Sequence, residues 1–287
     1  MHVNKISLIG TSQGGREFEV ERLFRSLVGT FNFLEVIFID QSDDYEIESL
    51  VNKYKNKVNI ILLNTPKLSL SKARNMGLDI CSGNIIGFCD DDAFYDYESL
   101  LRLSEFEFTQ NELVSVPVID KSSGKMYGDR AFPKRSKNIS FLEIIRCSIS
   151  VGTFILLHDR TEDIIFDERL GAGTYLGGSE ETELFFRLKS GGFITTYNNS
   201  IFVYHDNDAS IDTSKMDLSA KYYKYALGYG LVLRTFLIKS KFTLALEVIN
   251  ITLRCILGAV LMKNRSIYIN RLRGFYRGLL YEGRLNK

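Results

Sequence analysis

Ile85-Ile86-Gly87-Phe88-Cys89 runs directly into Asp90-Asp91-Asp92. The unbroken apolar run reads as a strand buried on both faces. Three successive carboxylates at its end repel one another unless something positive meets them. Oxygen ligands favour a hard divalent ion such as Mg²⁺ or Mn²⁺, and Mg²⁺ often shares its shell with substrate phosphates. Taken alone, the triplet has a second reading: Asp90 or Asp92 could be the N-cap of a helix starting near Tyr95.

Upstream of the triplet, strand and helix patterns alternate. Lys5–Gly10, Leu34–Asp40, Val58–Leu63 and Asn84–Cys89 read as buried strands, and Glu17–Val28, Tyr45–Tyr54 and Ser69–Cys81 as helices. Continuous apolar strands alternating with helices predict an α/β fold with a mostly parallel, Rossmann-like central sheet. Ligands of such sheets bind beyond the carboxyl ends of the strands. Thr11, Asp40 and Asp90–Asp92 all fall there, which favours the metal reading over the cap. Downstream, Glu112–Ile119 and Cys147–Leu157 read as strands, Gly171–Gly178 as a glycine-rich loop and Glu180–Leu188 as a short helix. Two short strands over Phe193–Val203 lead to His205.

The chain has 287 residues, 45% of them hydrophobic, enough for one large domain with an appendage. Its four cysteines have no CxxC spacing, which argues against a zinc site or a disulfide framework and fits a reducing compartment. The N-terminus enters a strand pattern almost at once, so no signal peptide is expected and a cytoplasmic location follows. The charge is unevenly distributed. Residues 215–287 take 14 of the 36 basic and 3 of the 35 acidic residues, an excess of 11 positive charges, which leaves 22 basic and 32 acidic for the rest. An acidic body repels a phosphate backbone, so no nucleic-acid partner is expected.

The basic tail, 211–287, follows a polar boundary at Asp206–Lys215. Phe242–Met262 has the length of a bilayer span, which needs roughly 20 apolar residues. Thr243, Glu247, Asn250 and Arg254 nevertheless draw a polar stripe along it. Arg265–Leu280 mixes Arg265, Arg271, Arg273 and Arg277 with aromatic and aliphatic residues. The pattern predicts amphipathic helices lying at the face of an anionic membrane. The competing reading is an ordinary helical subdomain with a solvated basic face.

Three segments carry a resemblance to a known family. Leu68–Phe94 (LSLSKARNMGLDICSGNIIGFCDDDAF) resembles the LSxARNxGxxxAxGxxIxFxDxDD core of inverting family 2 glycosyltransferases of the GT-A fold. Phe166–Gly173 (FDERLGAG) and Gly177–Phe193 (GGSEETELFFRLKSGGF) resemble their FDExxGxG and (E/D)DxDLxxRLxxxG motifs. The likeness covers about residues 3–210, and the tail is more loosely similar to the C-terminal helices of enzymes that build bacterial capsule or O-antigen chains.

The resemblance implies a GT-A domain over 1–210, with a nucleotide-binding half (1–110) and an acceptor half (111–210). It implies that Thr11 and Asp40 hold the base, that Arg74 lies near base and diphosphate, and that Asp91 lies near the ribose. Asp90 and Asp92 would bind Mn²⁺ or Mg²⁺, with His205 beside them. Glu181 would be the catalytic base, with Glu180 the neighbouring candidate. Gly178 and Arg187 lie on the acceptor side, Arg187 reaching either the diphosphate or Glu183 one turn away. Two departures stand out: Asp40-Gln41-Ser42 is one residue shorter than the usual DDGS, and the base is a glutamate in place of an aspartate. The expected activity is metal-dependent, inverting transfer of a sugar from a nucleotide-diphosphate donor, UDP-linked, to a hydroxyl of a lipid-linked surface glycan at the inner face of the membrane. The rivals are a nucleotidyltransferase, for which Gly14-Gly15-Arg16 is a faint phosphate loop, and a non-catalytic glycan-binding protein. The oligomeric state is left open.

Overall fold

The structure, a computed structural model, describes residues 3–159, 164–206, 217–237 and 241–283. It forms two compact units. One is built from residues 1–68, 72–165 and 188–210, the other from 69–71, 166–187 and 211–287.

The first half of the chain folds as its pattern predicts: β1 (Ile6–Ser12), α1 (Glu17–Ser26), β2 (Leu34–Asp40), α2 (Glu46–Tyr54), β3 (Asn59–Asn64), α3 (Leu70–Ile80) and β4 (Ile85–Asp90). β3, β2, β1 and β4 lie side by side in that order, all parallel. β2 is buried throughout and β4 is buried up to Asp90, as continuous apolar runs require. Their shared core centres on Phe24 and Phe38, which meet edge to face at 5.3 Å.

Beyond the triplet come β5 (Ala93–Tyr95), α4 (Tyr97–Ser104), β6 (Glu112–Ser115), β7 (Val118–Ile119), β8 (Lys137–Asn138), α5 (Phe141–Cys147), β9 (Thr153–Leu156), α6 (Glu180–Ser190), β10 (Ile194–Tyr197) and β11 (Val203–His205). The large sheet continues β4-β9-β6-β10-β8, with β9 antiparallel to both neighbours and β10 parallel to β6. A small second sheet has the order β5-β11-β7.

Three expectations are corrected. The helix after the triplet starts at Tyr97 and is capped by Asp96, whose carboxylate accepts from Ser99 N at 3.0 Å, so neither Asp90 nor Asp92 is its cap. The strand expected over Glu112–Ile119 breaks at Val116-Pro117, because proline has no N–H for the ladder. The strand expected over Cys147–Leu157 begins only at Thr153. Cys147 instead ends α5, which Ser140 and Glu143 start with a reciprocal capping box.

The second unit holds α7 (Leu218–Leu237), α8 (Lys241–Leu261) and α9 (Arg265–Leu279). Sequence reading misses α7, whose interior Gly228 and Gly230 lower its helix propensity. Those glycines permit close contacts. A Cβ on Gly228 would stand 2.2 Å from the Leu176 carbonyl oxygen, and one on Gly278 of α9 would stand 2.2 Å from that of Leu227. Segment 166–187 groups with the tail helices in this unit. The expected boundary at 210/211 lies outside the described residues.

α8 buries Glu247 beside Ile251 and Cys255 and leaves a second apolar face in solvent. Glu247, from its polar stripe, is buried and accepts from Tyr229 Oη at 2.9 Å and Asn250 Nδ2 at 3.3 Å. Phe242, Leu246, Ile249, Leu253, Ile256 and Val260 form an exposed apolar stripe at alternating helical spacings. Gly278→Ala tests the α7–α9 crossing: despite alanine's advantage in a helix of ~1 kcal/mol, overpacking should destabilise the protein by on the order of 2 kcal/mol. Thermal unfolding measures this, and unchanged stability would show that the helices do not cross so closely.

Candidate functional site

The candidate site is built at the carboxyl end of β4. Parallel pairing sets Thr11 opposite Asp90, so the end of β1 lies beside the triplet. Ser12 Oγ donates to Asp91 Oδ2 at 2.8 Å. Arg16, at the start of α1, donates through Nη1 to Asp91 Oδ1 at 3.0 Å and to Asp92 Oδ2 at 2.6 Å. Arg22, one and a half turns further on, reaches the Asp92 carbonyl at 2.8 Å and pairs with Asp206. Arg74 is 1% exposed, and its Nη2 donates to Asp90 Oδ1 at 3.0 Å and to Ser150 Oγ at 3.2 Å. That burial rules out a helix-surface salt bridge.

His205 arrives from more than a hundred residues away. β11 runs antiparallel to β5 with His205 opposite Ala93, and this register sets the imidazole against the triplet. Its Nε2 lies 3.0 Å from Asp92 Oδ1 and 3.7 Å from Asp90 Oδ2. Nδ1 lies 2.8 Å from the Asp206 carbonyl oxygen, and the Tyr127 ring packs on the imidazole at 4.4 Å between centroids.

Burial drives the proton affinities, and neighbouring charges correct it. Burial raises Asp91 to about 6 despite Arg16 and the Ser12 hydroxyl. Burial also works against charged Asp92, but His205 and Arg16 outweigh it and bring the group to about 2. Asp90 falls below the usual carboxylate range for the same kind of reason, with His205 and Arg74 outweighing burial. Burial opposes a charged His205, yet Asp90 and Asp92 raise it from 6.5 to about 10. The imidazolium thus contributes stability fully present below about pH 6.5 and lost as pH rises through about 10.

Asp90, Asp92 and His205 offer three ligand atoms within 4.8 Å of one another, enough to hold a divalent cation. Ligands at roughly 2.1 Å from an octahedral ion lie about 3 Å apart at adjacent corners, close to the His205–Asp92 separation. The His205 Nδ1 contact with a backbone carbonyl is the usual outer support of a metal-binding imidazole, and it leaves Nε2 for the ion. One nitrogen among carboxylate oxygens shifts preference from Mg²⁺ toward Mn²⁺.

Asp40 and Thr11 lie at the ends of neighbouring strands and are linked through Gln41. Gln41 Nε2 donates to Thr11 Oγ1 at 2.6 Å, and its Oε1 accepts from Leu68 N at 2.6 Å. Asp40 is buried and its Oδ1 accepts from Ser42 N at 2.9 Å. Sequence reading passes over Gln41, noting only that it shortens the motif, and it also misses Arg22 and Tyr127. No spacing rule points to those three.

In the second unit, Glu180 and Glu181 open α6, Glu180 buried and Glu181 half-buried. Glu183 and Arg187 form the one-turn pair, with Nε to Oε1 at 2.9 Å and Nη2 to Oε2 at 3.0 Å. Burial raises Glu183 above the usual carboxylate range in spite of that partner. The close approach at Gly178 is to the Tyr225 ring of α7, 3.3 Å from where a Cβ would sit.

Residues 16–160 match the model of Glycosyl transferase family 2. The chain belongs to this family. It is a glycosyltransferase, and Arg74 and the whole triplet lie inside the matched segment. Among solved structures, it is similar to S. aureus TarS 1-349 in complex with UDP-GlcNAc, with a TM-score of 0.63 at 18% identity over 96% of this chain and 81% of that one. S. aureus TarS 1-349 gives 0.58 at 19% identity over 97% and 72%. At 98% coverage this chain spans 44% of the longer TarS structure, with a TM-score of 0.58 and 19% identity. These likenesses establish the GT-A architecture that the motifs lead one to expect. No curated protein matches the chain in sequence.

If His205 ligates an ion, its proton must leave first. Mn²⁺ affinity should then rise with pH by up to roughly tenfold per unit while His205 is protonated. Calorimetry in buffers of different ionisation enthalpy should count about one proton released per ion. Binding without proton release would remove His205 from the ligand set.

Proposed function

We propose that this glycosyltransferase moves a sugar, with inversion, from a UDP-linked donor to a hydroxyl of a growing, lipid-linked surface glycan, using Mn²⁺ or Mg²⁺ held by Asp90, Asp92 and His205. The observation that carries the reading is the Asp90–Asp92–His205 cluster at a strand's carboxyl end, in a chain of this family. The UDP-GlcNAc and UDP complexes of S. aureus TarS support UDP as the carrier.

A cation at this site supplies Lewis-acid stabilisation to the departing diphosphate. The chain's own residues do the rest. Thr11 and Asp40 hold the base, with Gln41 fixing the Thr11 hydroxyl. Asp91 turns toward the ribose, and Arg74 positions Asp90. Glu181 takes the proton from the acceptor hydroxyl as that oxygen attacks the anomeric carbon and the diphosphate leaves from the opposite face. Its greater exposure favours it over the buried Glu180. Arg187 braces α6 through Glu183, and Gly178 keeps the acceptor loop against α7. The nucleotidyltransferase alternative needs Arg16 for a triphosphate, but Arg16 is engaged by Asp91 and Asp92.

The second unit supports peripheral attachment to the inner face of the membrane. α8 exposes an apolar stripe in a segment where basic residues far outnumber acidic ones. The buried Glu247 suits a helix lying in the interface better than one crossing the bilayer.

Glu181→Gln should retain Mn²⁺-dependent UDP binding and lose transfer by at least about a hundredfold. Full transfer in this variant would remove Glu181 as base, and release of pyrophosphate in place of UDP would overturn glycosyl transfer. The full chain should sediment with phosphatidylglycerol vesicles more than with phosphatidylcholine vesicles. Replacing Arg254 and Lys263 by glutamine should weaken that binding roughly thirtyfold, at about 1 kcal/mol per basic residue. Equal binding to both vesicle types would refute the electrostatic part of the attachment.

A further inference from the structure

A second site lies in the first unit, apart from the triplet. Residues between Ala131 and Cys147 line an open surface pocket of about 370 Å³, within the range of small-ligand sites, whose basic side chains are exposed. Phe132, Lys134, Arg135, Lys137, Glu143 and Arg146 are among its lining residues. Its one lining carboxylate, Glu143, is committed twice, to Lys137 and to the N-cap at Ser140. Among the described residues, Lys134, Arg135 and Arg146 have no carboxylate partner.

Three unpartnered cations around one pocket run against the charge of their surroundings, because residues 1–214 hold 22 basic and 32 acidic residues. The two guanidinium groups offer planar donor pairs that match a phosphate or carboxylate. Half-buried Phe132 adds an apolar wall. Lys134 and Arg135 also follow soon after Tyr127 in the chain. Tyr127, whose ring packs on His205, precedes Arg135 by eight residues, which spans at most about 28 Å of extended chain.

We infer that this pocket is an anion subsite for the acceptor: it takes a phosphate or carboxylate borne by the glycan at a distance from the hydroxyl that attacks. The inference rests on the glycosyltransferase reading for calling the ligand an acceptor. It makes the acceptor an anionic glycan and not a neutral one. The donor's diphosphate is a different charge met elsewhere, at the cation site proposed on Asp90, Asp92 and His205.

The test uses the full chain with Mn²⁺ and saturating UDP, so that the donor site is filled. The probes are mannopentaose phosphate, a hyaluronan tetrasaccharide and neutral maltopentaose, each titrated into the native chain and into the Arg135→Ala/Arg146→Ala variant. At least one anionic oligosaccharide should bind more tightly than maltopentaose, and the variant should lose about tenfold or more of that affinity while UDP affinity stays unchanged. The phosphate and carboxylate arms tell which anion fits. Three results would overturn the subsite: no preference for anionic probes, no effect of the double substitution, or a thymidine oligonucleotide binding the same residues more tightly than either glycan. Loss of UDP binding by the native chain would instead strike the donor-site reading, so the two failures are distinguishable. A single Arg146→Lys variant, which keeps the charge but not the fork, serves if the double variant fails to fold. It should weaken binding by a smaller factor, and unchanged affinity would count against bidentate capture.

Discussion

Three cationic side chains meet three consecutive carboxylates at the end of β4, and the first unit is organised around that balance. Buried or half-buried carboxylates are tolerated only when paired and hydrogen-bonded. Here the partners come from separate elements: Arg16 from the start of α1, Arg74 from α3 and His205 from the end of β11, while Arg22 of α1 holds the Asp92 carbonyl. Each pairing fixes the element that carries it. The same charge pairing therefore also holds the strand end, the first helix and the small second sheet in register. Arrival of a cation would exchange one positive charge for another by displacing the His205 proton, with little rearrangement required of the carboxylates.

The second unit obeys a different constraint, close backbone approach. Gly228 and Gly278 let α7 sit against the loop that leads into α6 and against α9 at distances that exclude a Cβ. α8 then buries Glu247 beside Ile251 and Cys255 and turns a second, aliphatic stripe outward. A helix in water ordinarily does not leave such a stripe uncovered, since it costs roughly 25 cal/mol for each Å² left exposed. The basic excess of the same segment would oppose pairing between two copies of this face. The same packing ties the loop that leads into α6 to the tail helices.

Legibility followed the physics of each element. β1 to β4 could be read because strands buried on both faces carry unbroken apolar runs, and β2 matches its expected span from Leu34 to Asp40. Reading failed where a local signal competes with hydrophobicity. Pro117 cut a strand, the Ser140–Glu143 box turned an apolar stretch into α5, and interior glycines hid α7. In the site, the triplet and Arg74 were visible as a spaced motif. Arg22, Gln41 and Tyr127 were invisible, since their importance comes only from what they touch.

The sequence by itself determined the alternation of strand and helix, the carboxylate cluster at a strand's end and the basic character of the tail, because each is a local pattern of residue type and spacing. Tertiary structure alone decided that Asp96 and not the triplet caps α4, that His205 joins Asp90 and Asp92, that residues 166–187 belong with the tail helices, and that α8 faces outward with its apolar side. Those outcomes depend on strand register and helix crossing. They bring together residues far apart in the chain, and no short-range pattern records them.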